Sequence, residues 1–273
     1  MLLIKNIGAI VGVRDHADCP LRGEGMNHLP ELHDAWLMAD GDRIHSFGKM
    51  SECPERADEE IDARGGWLFP AFCDSHTHLV FAGNREKEFV DKINGLSYAE
   101  IAARGGGILN SADRLHGYSE QQLFEEAAPR LDAIIASGTG AVEIKSGYGL
   151  TLEDELKMLR VIARIKEEYP LAVRSTFLGA HAVGRAYEGR QEEYVDYVCR
   201  EMIPAVAAER LADYVDVFCE QGFFTVEQTD RIFNHAERYG ITPRLHANQL
   251  HCSGGVQVGV KHGAASVDHL ENI

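Results

Sequence analysis

The chain has 273 residues, of which 45% are hydrophobic and 26% are charged, a balance typical of folded globular proteins rather than disordered ones. It carries 27 Lys and Arg residues against 43 Asp and Glu residues, so its formal net charge is −16. A charge this negative disfavours nucleic acid and anionic membrane surfaces as partners, and no segment has the apolar length of a bilayer-spanning helix.

Residues 1–68 contain strand-like runs separated by turn signals. LLIKNIGAIVGV is apolar and rich in β-branched residues, and Asp40-Gly41 lies between two apolar stretches, which is a hairpin signal. The region between these runs is rich in His, Gly and Pro and predicts an irregular loop. We therefore predict a small β-sandwich-like domain over residues 1–68.

From residue 69 onward, strand-like runs alternate with amphipathic helical segments. The predicted strands are LFPAFCDSHTH, GAVEIKSGYG, VRSTFLGAHA, YVDVFCE, TPRLHANQ and ASVDHLE, and the predicted helices are Tyr118–Ser137, Leu152–Tyr169, Gln191–Arg210 and Val226–Tyr239. This alternation gives about six β/α units, whereas a closed (β/α)₈ barrel has eight. We predict an α/β fold, a TIM-like (β/α) barrel over residues 69–273 that lacks its last units.

Polar residues collect where these predicted strands end, which is where β/α barrels place their chemistry. The strand ends read His76-Thr-His78, Lys145-Ser-Gly-Tyr148, His181, Glu220, His246-Ala-Asn-Gln249 and Asp268-His269. Residues i and i+2 of a strand point to the same face, so the first pair of imidazoles can bind one ion together. Because imidazole is a preferred ligand of zinc and iron, we predict a metal site formed by His76, His78 and His246.

Two more histidines at strand ends, His181 and His269, are candidates for the chemical step. A bound metal ion lowers the pKa of its water toward ~7, which leaves these two side chains for proton transfer or for polarising a carbonyl. The alternative for each is a hydrogen-bonded structural histidine. We interpret the other eight histidines as surface residues in loops and helices.

The stretch PAFCDSHTHLVFAGNREKEF resembles the first-strand signature of the amidohydrolase superfamily, Asp-x-His-x-His after a Pro. Together with GLSYAEIAARGGGI, VEIKSGYGL, TFLGAHA, DVFCEQGFF and LHANQL, it is similar to the imidazolonepropionase family over nearly the whole chain from residue 69. The resemblance implies an amidohydrolase-type barrel. It also implies hydrolysis of the cyclic amide of 4-imidazolone-5-propanoate to N-formimino-L-glutamate, a step of histidine degradation.

The resemblance also implies a metal set. It assigns one zinc or iron ion to His76, His78, His246 and a later aspartate, which in the family lies beyond the point where this chain stops. Binuclear relatives carry a bridging lysine at the end of the fourth strand, where this chain has Glu220. We therefore expect one metal ion rather than two.

The resemblance implies a substrate site for a small anionic imidazolone as well. Arg85 matches the arginine that binds the propionate carboxylate, although an ion pair with Glu86 or Glu88 is the alternative for this side chain. Tyr148 and His181 match residues that contact the substrate. Gln249 lies near the ring nitrogens and the attacking water, and because an amide is not a general base, that work falls to His269 or to the metal-bound hydroxide.

Two other functions remain open at this point. The first is another amidohydrolase, a cyclic amidase or a nucleobase deaminase, although deaminases usually carry Glu close to the position of Gln249. The second is a catalytically incompetent fragment, since the family's chains continue past residue 273.

The cysteines and the N-terminus bear on location and assembly. The six cysteines form no Cys-x-x-Cys pair and the N-terminus shows no convincing cleavage site, so we expect free thiols in the cytoplasm. We expect neither nucleic acid nor membrane as a partner, and we regard a homodimer as the assembly to test.

Overall fold

The computed structural model describes residues 1–14, 21–96, 100 and 107–273. These residues divide into two compact units, Met1–Ala71 and Phe72–Ile273. The expected domain boundary after residue 68 and the β-sandwich-like character of the first domain stay predictions. Cys19, one of the eight histidines interpreted as surface residues (His16) and most of the GLSYAEIAARGGGI stretch lie outside the described residues.

The first unit is a five-stranded sheet. Its strands are β1 (Leu2–Val11), β2 (Glu31–Asp40), β3 (Arg43–Lys49), β4 (Glu59–Asp62) and β5 (Trp67–Leu68), in the order β3-β2-β1-β4 with β5 also paired to β1. The predicted hairpin is confirmed, because β2 and β3 pair antiparallel and Gly41 turns between them at a φ of +57°. Since side chains alternate along β2, Leu37 packs into one apolar cluster and Trp36 and Met38 into another.

The second unit is built on a parallel six-stranded sheet. Its strands are β6 (Phe72–Thr77), β7 (Thr139–Lys145), β8 (Ala172–Ala180), β9 (Tyr214–Cys219), β10 (Thr242–Ala247) and β11 (Val267–His269), each beside its neighbour in sequence. The sheet curls into a nearly closed barrel, because the Arg244 guanidinium on β10 donates to the backbone oxygen of Ser75 on β6 at 2.6 Å. The predicted α/β barrel with six β/α units is confirmed.

Helices connect these strands and cover the sheet. They are α1 (Glu86–Ile93), α2 (Ile108–His116), α3 (Glu120–Ala136), α4 (Leu152–Glu168), α5 (Gln191–Tyr197), α6 (Ile203–Glu209), α7 (Val226–Glu237) and α8 (Gly255–Lys261), with a π-helical turn, Val198–Met202, between α5 and α6. Short 3₁₀ turns span Gly23–Asn27, Met50–Glu52 and Arg185–Tyr187. In the described part of the chain, no helix has the length and apolar character needed to cross a bilayer.

Local sequence explains where the long helices begin. Ser119 and Thr225 each accept a hydrogen bond from the third residue of the helix that follows, and that residue, a Gln in both cases, bonds back. This reciprocal capping satisfies amide groups that the first helical turn leaves without partners. The buried faces of these helices form one core with the strands, which includes Leu123, Leu131, Leu159, Ile162, Val217, Phe233 and Leu245.

The interpretation of the remaining histidines was wrong in part. His33 and His45 lie in β2 and β3, not in loops or helices. His262 directly follows α8, and its side chain is only 5% exposed because both ring nitrogens contact carboxylates. Sequence periodicity does not register such a contact, since its partners lie on the preceding helix.

Candidate metal centre and active site

A cavity of about 190 Å³ opens at the carboxyl ends of the parallel strands. The strands that form its floor are parallel and adjacent, so side chains distant in sequence meet at one edge. Eight of its lining residues are the predicted site residues, and they are joined by three apolar ones: His76, His78, Arg85, Tyr148, His181, His246, Gln249 and His269, with Ile108, Phe218 and Leu250. The structure thus brings all of the sequence-predicted site residues together.

The imidazoles form a tight cluster in this cavity. Ligand atoms of His76, His246 and His269 all lie within 4.8 Å of one another. His78 joins the cluster because its Nε2 lies 3.5 Å from Nε2 of His246. The group within 4.8 Å therefore contains two of the three predicted metal residues, together with His269, which was predicted to act in proton transfer, while His78 adjoins it through His246. This cluster could bind a metal ion.

Hydrogen bonds at Nδ1 fix the tautomers of three of these rings. His76 Nδ1 lies 2.8 Å from Asp268 Oδ2, and His246 Nδ1 lies 3.0 Å from Asp216 Oδ1. His181 Nδ1 lies 2.9 Å from the backbone oxygen of Gly147. An acceptor at Nδ1 places the proton there and leaves a lone pair on Nε2, the arrangement that metal-binding histidines commonly have.

Burial favours the neutral form of His78, His181 and His246. Together with the neighbouring His246, it lowers the pKa of His181 to about 3. Burial also lowers the pKa of His78 and of His246, although Asp216 opposes the change for His246. Neutral imidazole is the form that binds metal ions.

The residues present fit a bound cation. His78 Nδ1 is buried without a hydrogen-bond partner among the described residues. Its Nε2 faces the Nε2 of His246, whose lone pair is set by Asp216. A buried nitrogen without a partner is costly in a protein interior, and neighbouring imidazole nitrogens are ligands that a cation such as zinc accepts.

A buried charged network lies beneath the histidines. Lys145 Nζ contacts Glu143 Oε1 at 2.8 Å and Asp216 Oδ2 at 2.9 Å, and it lies 3.7 Å from Asp268 Oδ2. Arg244 also contacts Asp268, at 3.2 Å. With all five groups ionised, these three carboxylates and two cations carry one net negative charge under the imidazoles, which favours a cation above them.

The pKa shifts in this network follow from burial and pairing. Burial opposes ionisation of Asp216, but His246 and Lys145 outweigh it and hold its pKa well below the usual range. Burial likewise opposes ionisation of Asp268, and the hydrogen bond from His76 together with nearby cations lowers its pKa. Both carboxylates are therefore ionised acceptors for the rings above them.

A glycine-rich loop after β7 carries Tyr148. Its ring lies 5.5 Å from that of His78 and 5.3 Å from that of His181, measured between centroids. The carboxylate of Glu155 on α4 accepts hydrogen bonds from the backbone nitrogens of Gly147, Gly149 and Leu150, at 2.8–3.0 Å. A Cβ at position 149 would lie 2.4 Å from the backbone nitrogen of Glu155, so only glycine allows this close approach.

Arg85 lies just before α1, where its pairing with Glu88 is confirmed and its binding of a substrate carboxylate stays a prediction. Its guanidinium lines the cavity, and its Nε also donates to Glu88 Oε2 at 2.6 Å. Across the cavity, Glu220 does not line the site but accepts from the backbone nitrogen of Leu250 at 2.9 Å. It therefore supports the loop that presents Gln249.

Sequence reasoning missed the charges that support the site. Asp216 lies in the predicted strand YVDVFCE and Glu155 in the predicted helix Leu152–Tyr169, but neither was singled out. A signal existed for Asp216, because a strand buried on both faces is a run of apolar residues and an acid between two valines is unusual there. No comparable signal marks Glu155, since its partners are backbone groups of a loop.

Comparisons with known proteins agree with this fold. No family model matches the chain. The imidazolonepropionase of Christiangramia forsetii is 51% identical over 271 residues, which is 99% of this chain and 66% of that protein. The imidazolonepropionase of Flavobacterium johnsoniae is 51% identical over 270 residues, which is 98% of this chain and 66% of that protein. The imidazolonepropionase of Paraburkholderia phymatum is 45% identical over 242 residues, which is 88% of this chain and 60% of that protein. The chain thus spans slightly less than two thirds of the length of these curated relatives.

Solved structures share the fold at low sequence identity. A triazine hydrolase from Arthrobacter aurescens superposes with a TM-score of 0.62 at 16% identity, over 96% of this chain and 58% of its own. A 5-methylcytosine deaminase from Klebsiella pneumoniae, liganded with 5-fluorocytosine, superposes with a TM-score of 0.60 at 16% identity, over 93% of this chain and 55% of its own.

The curled parallel sheet with histidines clustered at its carboxyl edge is an α/β barrel of the kind that these two solved hydrolytic enzymes share. The curated relatives identify the family within this fold. The chain belongs to the imidazolonepropionase family.

Proposed function

We propose that the protein hydrolyses the cyclic amide of 4-imidazolone-5-propanoate to N-formimino-L-glutamate. The observation that carries this proposal is the meeting of five imidazoles and Arg85 in one cavity, in a chain 51% identical to two imidazolonepropionases. The reaction breaks the ring C–N bond of the amide and adds one water molecule.

His76, His78 and His246 would hold one ion, zinc or iron, with His269 beside them. Such an ion supplies Lewis acidity and a water of lowered pKa. The chain's part is to orient His76 and His246 through the carboxylates of Asp268 and Asp216 and to keep His78 and His246 neutral, because burial lowers the pKa of both.

Arg85 would bind the carboxylate of the substrate. A guanidinium presents parallel N–H donors that match the two oxygens of a carboxylate. The pair with Glu88 holds this side chain at the cavity wall. In a protein of net charge −16, a local cation of this kind is what an anionic substrate requires.

His181, Tyr148, Gln249 and His269 would surround the ring. Because His181 keeps its proton on Nδ1 toward Gly147, its Nε2 is an acceptor suited to a ring N–H of the substrate. Its low pKa makes it a poor proton donor at neutral pH. His269, whose side chain is 22% exposed at the rim, is better placed to move a proton between water and the leaving nitrogen, because the Gln249 amide is not a base.

Turnover by the full-length protein tests this function. The protein, loaded with zinc or with iron, should hydrolyse imidazolone propionate, as followed by loss of the substrate's absorbance, and should leave cytosine and neutral cyclic amides almost untouched. Absence of this turnover alongside hydrolysis of another cyclic amide or deamination of a nucleobase would refute the proposal. Elemental analysis of the purified protein decides between zinc and iron.

The same proposal includes the setting of the enzyme. It places the enzyme in the cytoplasm, as a homodimer that uses neither nucleic acid nor membrane as a partner. Light scattering of the full-length protein tests the assembly, and a monomeric mass would exclude the dimer.

A further inference from the structure

Lys145 at the end of β7 is a fully buried cation that does not line the histidine cavity. Its side chain is 0% exposed, as is that of Asp216, and that of Glu143 is 3% exposed. An ammonium group taken out of water is costly unless carboxylates surround it. Lys145 meets this condition with Glu143, Asp216 and Asp268.

Two of its three carboxylates are the ones that orient the histidines. Asp216 bonds Nδ1 of His246 on β10, and Asp268 bonds Nδ1 of His76 on β6. Lys145 Nζ lies 2.9 Å from Asp216 and 3.7 Å from Asp268. One ammonium group therefore stands between the acceptors of two rings that come from strands far apart in sequence.

We propose that Lys145 is a positioning residue that holds Asp216 and Asp268 in the orientation in which His246 and His76 present their Nε2 atoms to the metal. This inference rests on the proposed metal centre and adds a role for a residue that does not line its cavity. Loss of the ammonium group would let the two carboxylates turn away from each other, and each ring would lose its fixed direction.

Electrostatics alone predicts the opposite change in zinc affinity, so a positioning role of Lys145 can be separated from a purely electrostatic one. The network carries one net negative charge in the native protein. Lys145→Met would raise this to two, which by electrostatics alone attracts a cation more strongly. Glu143→Gln would reduce it to zero, and the double substitution Glu143→Gln with Lys145→Met would restore the native value without the lysine.

The experiment measures zinc affinity of the full-length protein by competition with a chromogenic chelator. If Lys145 positions the carboxylates, Lys145→Met and the double variant should both bind zinc about 10- to 100-fold more weakly, as is usual when a group behind a metal ligand is removed. Glu143→Gln keeps the lysine between Asp216 and Asp268 and should stay within about threefold of the native affinity. Tighter binding by Lys145→Met, native affinity in the double variant, or a large loss in Glu143→Gln would overturn the proposal.

Lys157→Met is the matched control. Lys157 on α4 also pairs with a buried carboxylate, Asp154 Oδ1 at 2.6 Å, but neither residue lines the histidine cavity. Its variant should retain native zinc affinity. If Lys145→Met does not fold, as judged by circular dichroism, Glu143→Gln still decides, because charge alone requires weaker zinc binding there and positioning does not.

The zinc measurement uses no substrate, so it separates this inference from the proposed function. If the native protein binds zinc but the variants show the opposite order of zinc affinity, only the proposed role of Lys145 is refuted. A native protein that binds no zinc would remove the metal centre and this role together. Zinc binding with the expected ranking, but without imidazolone turnover, would leave the role of Lys145 standing.

Discussion

Arg85 gives the sharpest prediction at the scale of single residues. Arg85→Ala should raise KM for imidazolone propionate and lower kcat/KM by about 100-fold, because a charge-assisted bond to the substrate carboxylate is lost. A neutral amide analogue of the substrate should be affected much less. Steady-state kinetics with both substrates measures the difference.

Arg160→Ala is the control for this prediction. Arg160 forms a comparable pair with a carboxylate, Glu209, at 2.7 and 2.9 Å on the outer surface. Its variant should keep native kinetics. If Arg85→Ala leaves KM for the anionic substrate unchanged, the cavity does not recognise a carboxylate there, and a nucleobase deaminase becomes the better explanation.

At this scale the sequence predicts which imidazoles meet but not what orients them. His76, His78 and His246 could be found because each stands at the end of a strand, and parallel strands end at one edge. Lys145 was recognised at a strand end, but not as a buried cation shared by three carboxylates. Its burial depends on carboxylates from three other positions in the fold, and such a coincidence has no local pattern.

At the scale of elements, α4 positions the loop that carries Tyr148. Glu155 near its start is fully buried; burial raises the pKa of its carboxyl group, while hydrogen bonds from Ser146 and the backbone of the loop oppose this. Glu155→Gln replaces one acceptor oxygen by an amide donor that faces backbone N–H groups. We expect a loss of about 1–3 kcal/mol in the free energy of unfolding and at least about a tenfold loss in kcat/KM, because the loop shifts.

Chemical denaturation and steady-state kinetics measure these two losses. Glu167→Gln is the matched control, since it makes the same change on an exposed position of the same helix. This control should lie within about 0.5 kcal/mol of the native stability. Equal stability and activity in Glu155→Gln and Glu167→Gln would show that the loop does not depend on this carboxylate.

The end of α8 is fixed to α7 by an imidazole between two carboxylates. His262 Nδ1 lies 2.6 Å from Glu237 Oε1, and its Nε2 lies 2.8 Å from Asp230 Oδ1. Burial lowers the pKa of His262, but the two carboxylates outweigh it and raise the pKa above its usual 6.5. Because the pKa of His262 is higher in the folded than in the unfolded protein, its contribution to stability is fully present below about pH 6.5. This contribution is lost as the pH rises through the pKa of the folded state.

We therefore expect a pH-dependent effect of His262→Gln. The substitution should cost about 1 kcal/mol of unfolding free energy near pH 5.5 and clearly less near pH 8.5. Urea denaturation at both pH values measures this difference. His45→Gln, at an exposed histidine of β3, is the control and should show no such change. A cost for His262→Gln that is larger at the higher pH would contradict the assignment.

The predicted boundaries agree closely with the structure for helices that bury one face and expose the other. Leu152–Tyr169 was predicted for α4, which spans Leu152–Glu168, and Val226–Tyr239 for α7, which spans Val226–Glu237. Helices α1, α2 and α8 were not predicted. They are 8, 9 and 7 residues long, which is shorter than the stretch over which hydrophobic periodicity identifies a helix.

At the scale of the whole molecule, alternation of strand and helix predicted the barrel, but its curl was not predictable. The curl is visible in the bond from Arg244 to Ser75 and in the contact between His76 and Asp268, which join the first strand of the barrel sheet to its last two. These contacts depend on the twist of the assembled sheet, and sequence periodicity carries no information on it.

Because the proposed metal ligands come from both sides of this sheet, a bound ion should stabilise the fold as a whole. Free zinc at about 100 times its dissociation constant should add about 2.7 kcal/mol to the free energy of unfolding, and a chelator should remove this gain. Thermal unfolding with zinc and with chelator measures the effect. His246→Ala should abolish the response to zinc, and an undiminished response in that variant would place the ion elsewhere.

The central claim is that His76, His78 and His246 hold one ion. Equilibrium dialysis of the full-length protein against zinc tests it most directly, with His246→Ala and, as control, His116→Ala, which removes an exposed histidine that is paired with Asp154 outside the cavity. We predict one tightly bound zinc ion per chain for the native protein and for His116→Ala, and its loss in His246→Ala. Zinc retained by His246→Ala with native affinity would contradict the metal centre and the hydrolase built on it.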